Sequence, residues 1–221
     1  MSQKLTIILI ITVVVLSIFS IIGVYFGHQF YDSIFRLSLD QVSNSLVPIV
    51  PQCKKVIECK LLPGDILIRR YITSHTWSFD KFINPYFTHT AFYLGNGYLV
   101  EAIGTQKNSE DEIRIVTLEE SDWLNTNMDN FVIIRPKNYS LKLDIIENNL
   151  KNIAEDADYI FGFPKQGHKR AMCADLIFGQ LSDQNIINDP NSPKIITPDY
   201  LFWATKNNPN DFEIIGYNIY K

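Results

Sequence analysis

The sequence is short of cysteine, with three in 221 residues, and that scarcity excludes a disulfide-dense scaffold. No second cysteine pair and no histidine cluster has zinc-finger spacing, so no structural metal site and no cofactor are expected. Blocks of like charge are missing too. The formal net charge of −4 and the pI near 5.6 come from Lys, Arg, Asp and Glu mixed along the chain, which leaves no basic footprint and no expected nucleic-acid partner. There is neither an internal repeat nor a low-complexity segment.

The most informative absence is local. Leu5 to Phe26 contains no charged residue, and at ~1.5 Å per residue a helix of that length crosses the ~30 Å hydrocarbon core of a bilayer. A cleaved signal peptide has a shorter apolar region and a small-residue cleavage site, for which Gly23-Val24-Tyr25 is a poor substitute. The run therefore reads as an uncleaved single-pass anchor with lipid as the partner of residues 5–26. Only the amino terminus and Lys4 precede it, whereas Asp32, Arg36 and Asp40 follow. The positive-inside rule then points to a cytoplasmic N-terminus and a domain on the non-cytoplasmic side. The expected organisation is an anchor over 1–27, a stem over 28–60 and a globular domain over 61–221.

In the stem, Phe30, Ile34, Leu37, Val42 and Leu46 recur at roughly helical spacing before Pro48 and Pro51 interrupt, which predicts a juxtamembrane helix and an extended link. Cys53 and Cys59 would pair across a short loop in an exported domain and stay reduced in a cytosolic one. The globular part opens at Leu62-Pro63-Gly64-Asp65, a turn signature feeding a strand over 66–70. Residues 71–87 read as a loop with one helical turn. A hairpin follows, then a strand over 112–116. Thr117 to Glu120 form a capping box that predicts a short helix, and Asn130 to Arg135 a central strand. Leu141, Ile145, Ile146, Leu150, Ile153 and Ala157 mark an amphipathic helix ending before Gly162. Cys173 opens a further helix after a loop rich in Gly and Lys, Thr197-Pro198 caps another, and the tail ends in a strand. The fold class is α+β, an antiparallel sheet packed on helices.

Three residues carry chemistry. Cys173 sits where a loop becomes a helix, facing the positive end of the helix dipole with Lys169 and Arg170 just before it. That setting favours a thiolate over the free value of ~8.5. The bland alternative is a buried small hydrophobe between Met172 and Ala174. His89 and Glu101 lie in one hairpin, and their relation depends on its loop. A two-residue Asn96-Gly97 turn puts Phe92 opposite Glu101 and sends His89 to the other face. A three-residue Gly95-Asn96-Gly97 loop with a bulge at Gly97 pairs Leu94 with Tyr98 and Ala91 with Glu101, making His89 and Glu101 same-face diagonal neighbours. The longer loop is the one expected here. A carboxylate so placed orients an imidazole, whose second nitrogen serves a cysteine. His75 and His168 are competing bases, but neither has an acidic orienter set by a hairpin, and both read as surface loop residues.

GDILIRR from Gly64, THTAFYLGNGYLVEA from Thr88, MCADLIF from Met172 and ITPDYL from Ile196 together resemble the permuted NlpC-type papain-fold cysteine amidases and peptidases of the YiiX/YaeF kind. The order is that of the permuted family, with His and an acidic residue ahead of the cysteine helix. The resemblance covers about residues 61–205, and implies a circularly permuted papain-like fold with Cys173 as nucleophile, His89 as general base and Glu101 as the third polar residue. Many relatives carry Ser-Glu after the cysteine where this chain has Ala174-Asp175. The implied activity is hydrolysis of an amide in a peptide or peptidoglycan fragment. Relatives of lecithin retinol acyltransferase extend it to lipid acyl hydrolysis or transfer, and a catalytically silent binding module is the third possibility.

Overall fold

The computed structural model describes residues 3–32, 34–70, 84–103, 112–124, 130–137, 140–156, 159–161 and 169–219. His75 and His168 lie outside them. The chain divides into two compact units, Met1–Ile34 and Phe35–Lys221. In the first, helix α1 (Gln3–Asp32) contains the whole uncharged run. Its described side chains begin at Thr12, and among the described residues no helix is long and apolar enough to cross a membrane.

The second unit is built on a six-stranded antiparallel sheet. Its strands are β1 (Ile66–Arg70), β2 (His89–Gly95), β3 (Tyr98–Ile103), β4 (Glu112–Thr117), β5 (Asn130–Pro136) and β8 (Phe212–Asn218), in the order β4-β3-β2-β1-β5-β8. β2 and β1 are buried almost throughout because both faces are covered. Even-numbered residues of the central strands, such as Ile66, Ile68, Phe92 and Val132, join the larger core. Odd-numbered ones, such as Leu67, Ala91, Leu99 and Ile133, join a smaller core with Trp123 and Val56. This alternation follows from the two-residue period of a strand.

The larger core is roofed by helices α2 (Leu39–Leu46), α3 (Ser140–Glu155), α4 (Cys173–Asp183) and α5 (Pro198–Lys206). α3 starts at Ser140 as its periodicity predicts and buries Ile146 and Leu150. α5 starts on the expected cap, with the Tyr200 amide donating to Thr197 Oγ1 at 3.1 Å and Pro198 in the first turn. A short parallel pair, β6 (Tyr159–Phe161) and β7 (Lys169–Ala171), precedes α4; β6 lies where the amphipathic helix was expected to run on towards Gly162, and β7 in the expected loop. Three-residue strands carry too little pattern to be seen in a sequence.

Residues from Phe35 onward, assigned above to a stem, pack along the globular unit instead. A capping box at Ser38 starts α2 afresh, with the Gln41 amide donating to Ser38 Oγ at 3.2 Å and the Ser38 amide to Gln41 Oε1 at 2.7 Å. α2 is thus separate from α1, which divides the single helix expected there. Farther on, the Gln52 amide donates to the Ile215 carbonyl at 2.8 Å, and Cys53 is bridged to Gly216 in β8. Cys53 and Cys59 form a disulfide, so of the two alternatives the paired one is realised. A Cβ added at Gly216 would lie 2.9 Å from Cys59 Sγ and closer still to Cys53 Sγ. The glycine is what lets the disulfide lie against the strand.

Two buried carboxylates lock this arrangement. Asp65 accepts from Arg135 Nε at 2.7 Å and Nη2 at 2.8 Å, and from the Leu62 amide at 2.8 Å. This clips the start of β1 to the end of β5. Asp199, in the first turn of α5, accepts three amides: Leu37 at 2.8 Å, Tyr86 at 2.8 Å and Phe87 at 2.7 Å. It ties the strap before α2 and the approach to β2 onto one helix N-terminus. Burial pushes its carboxyl up to about 6 against the pull of those donors. Replacing Asp199 with Ala leaves three amides without their acceptor. At ~1–3 kcal/mol per unsatisfied buried group, D199A is expected to lower unfolding free energy by about 3 kcal/mol or more in a urea titration; a change within ~0.5 kcal/mol would refute the clasp.

Candidate active site

The site begins with the hairpin. Asn96 and Gly97 both have left-handed backbones, with φ of 53° and 84°, the signature of a two-residue type I′ turn. Across it Gly95 pairs with Tyr98, but the register then shifts between Tyr93 and Gly95, so that Tyr93 faces Leu99, Phe92 faces Val100 and Ala91 faces Glu101. The expected Leu94–Tyr98 pair is replaced by Gly95–Tyr98. The loop is therefore shorter than expected, and a bulge inside β2 supplies the extra residue that restores the parity. Gly95 makes this possible with φ of 99°, a conformation a side chain resists, and a Cβ there would lie 3.0 Å from Pro63 Cγ.

With that register, His89 and Glu101 meet on the smaller-core face. His89 Nε2 lies 2.8 Å from Glu101 Oε2, and both side chains are almost wholly buried. Glu101 has further donors: Arg114 approaches Oε1 with Nε at 3.1 Å and Nη2 at 2.7 Å, and the Ser121 hydroxyl donates a short bond to Oε2. Arg114 is in place because it stands directly opposite Glu101 in the β3–β4 ladder.

Ser121 arrives by a different route. The Thr117 capping box forms, with the Glu120 amide donating to Thr117 Oγ1 at 3.1 Å and the Thr117 amide to Glu120 Oε2 at 2.9 Å. The expected helix does not follow, because Asp122 turns left-handed at φ 57°. The Trp123 amide then donates to the Leu118 carbonyl at 2.8 Å and the Asp122 amide to that of Glu119 at 3.1 Å, which is the Schellman pattern of a helix C-terminus. A single turn is closed at both ends. It lays Ser121 on Glu101 and buries Trp123 completely, with the indole 6.1 Å from the His89 ring and 4.2 Å beneath the Arg69 guanidinium.

Burial is the strongest single influence on Glu101 and opposes its charge, but the donors from His89, Ser121 and Arg114 outweigh it and hold the carboxyl at about 2. For His89, burial favours the neutral ring and wins over the raising effect of Glu101. The resting pair is thus a neutral imidazole beside an ionised carboxylate whose countercharge is Arg114. With Nε2–H donating to Glu101, Nδ1 is the basic nitrogen.

Cys173 is the first residue of α4, with Met172 extended before it at φ −84° and ψ 158°. It is buried and lies outside the disulfide. Its helix packs on β2 and β3, the strands that carry His89 and Glu101. Its core neighbours belong to the helix-covered face, whereas the His89–Glu101 pair occupies the other. His89 begins β2 and Cys173 begins α4. Lys169 and Arg170, expected to favour the thiolate, have side chains outside the description, and Asp175 is exposed. Among the described residues no group of three His, Cys, Asp or Glu side chains could hold a metal ion.

Arg69, Arg114, Ser121 and Trp123 were not anticipated. Arg69 had one visible signal, a charge at the inward parity of a strand whose neighbours are Leu67 and Ile68. Arg114 and Ser121 had none, since the connection between β3 and β4 hides their register. No family model matches the chain, and no curated protein matches it.

Glu101, depressed from 4.5 to about 2, contributes stability that is full above about pH 4.5 and lost as pH falls through 2, on the order of 3 kcal/mol. E101Q is expected to destabilise the protein by about that amount at pH 7 and to flatten the acid limb of a pH–stability curve. An unchanged limb would mean that the carboxylate is not ionised in the folded state.

Proposed function

We propose that the protein is a cysteine hydrolase in which Cys173 is the nucleophile, His89 the general base and Glu101 the group that orients His89. The observation that carries this reading is the buried His89–Glu101 hydrogen bond at 2.8 Å, with Glu101 held ionised by Arg114 and Ser121. A cysteine outside the disulfide opens the helix packed on the same two strands.

In the reaction, the Cys173 proton passes to His89 and the thiolate attacks a substrate carbonyl. The oxyanion is met by the Cys173 amide at the helix N-terminus, and collapse expels the leaving group with the proton from His89. Water, deprotonated by His89, then cleaves the thioester and restores the thiol. Glu101 keeps the imidazole in one tautomer and stabilises the transient imidazolium.

The motifs that resemble the permuted NlpC-type papain-fold family support a circularly permuted papain-like domain and an amide in a peptide or peptidoglycan fragment as substrate. A lipid acyl substrate is the second reading, favoured by the uncharged run Leu5–Phe26, which would hold the domain at a bilayer as a single-pass anchor. The Cys53–Cys59 disulfide is at home in an oxidising compartment, which supports a domain on the non-cytoplasmic side.

A thiol-directed electrophilic probe is expected to label the wild type at Cys173, with H89A labelling at least ~100-fold more slowly and C173A not at all. Equal labelling of C173A would remove the nucleophile assignment. Acyl thioester recovered on Cys173 after exposure to phospholipid, and absent after exposure to peptidoglycan fragments, would select the lipid reading. A V14K/I18K double variant should move the full chain from the carbonate-washed membrane pellet to the supernatant; retention in the pellet would argue against the anchor.

A further inference from the structure

Asp199 joins two pieces of chain that are far apart in sequence. It has no exposed surface and lies in the first turn of α5. Its Oδ2 accepts the Leu37 and Tyr86 amides, each at 2.8 Å, and its Oδ1 accepts the Phe87 amide at 2.7 Å. One oxygen is thus shared between the strap before α2 and the approach to β2.

Both pieces have further holds on the same helix. In the strap, the Phe35 carbonyl accepts from Thr197 Oγ1 at 2.9 Å, and the Phe35 ring lies 5.3 Å from that of Tyr200 and 5.4 Å from that of Trp203. In the approach, the Phe87 ring is buried 5.3 Å from that of Phe202. The chain is held again at the next residue, where the Thr88 amide donates to the Arg69 carbonyl at 2.9 Å. His89 follows, opposite Arg69 in the β1–β2 ladder. The point at which His89 enters the sheet is therefore set by the ladder on one side and by Asp199 on the other.

A buried carboxylate keeps its charge only while donors are aimed at it. Three amides converging from two segments give this one a single orientation. With the strap lifted, Oδ2 loses one of its two amides, the carboxylate is free to turn, and Tyr86 and Phe87 lose a fixed acceptor. We propose that Asp199 is a positioning residue for His89, and that the strap at Leu37 regulates the site by completing the hold of Asp199 on the approach to β2. This rests on the reading of His89 as the general base. Coupling of this kind is reciprocal, so what holds the approach also holds the strap.

The test uses the full chain with the Cys53–Cys59 disulfide intact. Amide hydrogen exchange reads the clasp, and the pH midpoint of iodoacetamide labelling at Cys173 reads the site. F35A removes the ring that packs the strap on α5 and leaves Asp199 and its three donors in place. It is expected to speed exchange at Leu37, Tyr86 and Phe87 together by about tenfold. The labelling midpoint should rise by about half a unit as His89 shifts, with unchanged far-UV circular dichroism. D199N should enlarge both effects. If F35A does not fold, F35L, which keeps an apolar side chain without the ring, makes the same comparison. Faster exchange at Leu37 alone, or at none of the three amides, overturns the coupling. Faster exchange at all three with the wild-type midpoint leaves a structural clasp and overturns the positioning role. An H89A variant that keeps the wild-type midpoint instead removes the reading of His89 on which the proposal stands, so the two failures are distinct.

Discussion

One buried carboxylate organises the domain's polar interior. Glu101, about 1% exposed, takes two N–H bonds from Arg114, one hydrogen bond with His89 and one from Ser121. Each donor comes from a different piece of chain: β4, β2 and the turn after β4. An ionised carboxylate without such donors is too expensive to bury, so each of these segments must arrive in register before the charge is tolerated. The requirement runs in both directions, since removing Glu101 takes from Arg114, His89 and Ser121 the carboxylate on which they converge.

Backbone irregularities serve that carboxylate. The bulge between Tyr93 and Gly95 shifts the β2–β3 register by one residue, and without it Glu101 would face Phe92 rather than Ala91 and point into the helix-covered core. Asp122 in a left-handed conformation stops a helix that the capping box begins, and one more turn of helix would carry Trp123 off the sheet. Both are local costs accepted for placement of a polar group, which is where backbone strain tends to gather. Outside that cluster, Asp199 and Asp65 collect amides and a guanidinium from distant segments and fix the ends of the central strands.

Much of the architecture was legible in the sequence because it depends on short-range rules. The strands at 66–70 and 130–135, the helix from Ser140, the helix opening at Cys173 and the Thr197-Pro198 cap all follow from periodicity or from a side chain bonding its own neighbours. The hairpin was legible in its parity but not in its device, since a two-residue turn with a bulge and a three-residue loop leave the same alternation. The turn after Thr117 was misread as a helix because the start signal is local and the stop is an aspartate in a conformation usually given to glycine. The strap from Phe35 was read as a stem, since what holds it, Asp199 and Gly216, lies far along the chain.

The sequence by itself determined the identities of the three candidate residues, the elements that carry them and the uncharged N-terminal run, because spacing within a few residues is enough to define each. Only the tertiary structure decided that His89 and Glu101 share a hydrogen bond, that Arg114 and Ser121 keep the carboxylate charged, that Arg69 stands beside them on Trp123, and that Cys53 pairs with Cys59. Those are contacts between residues separated by a register shift or by a long stretch of chain. Their energy depends on burial, and burial is a property of the folded whole.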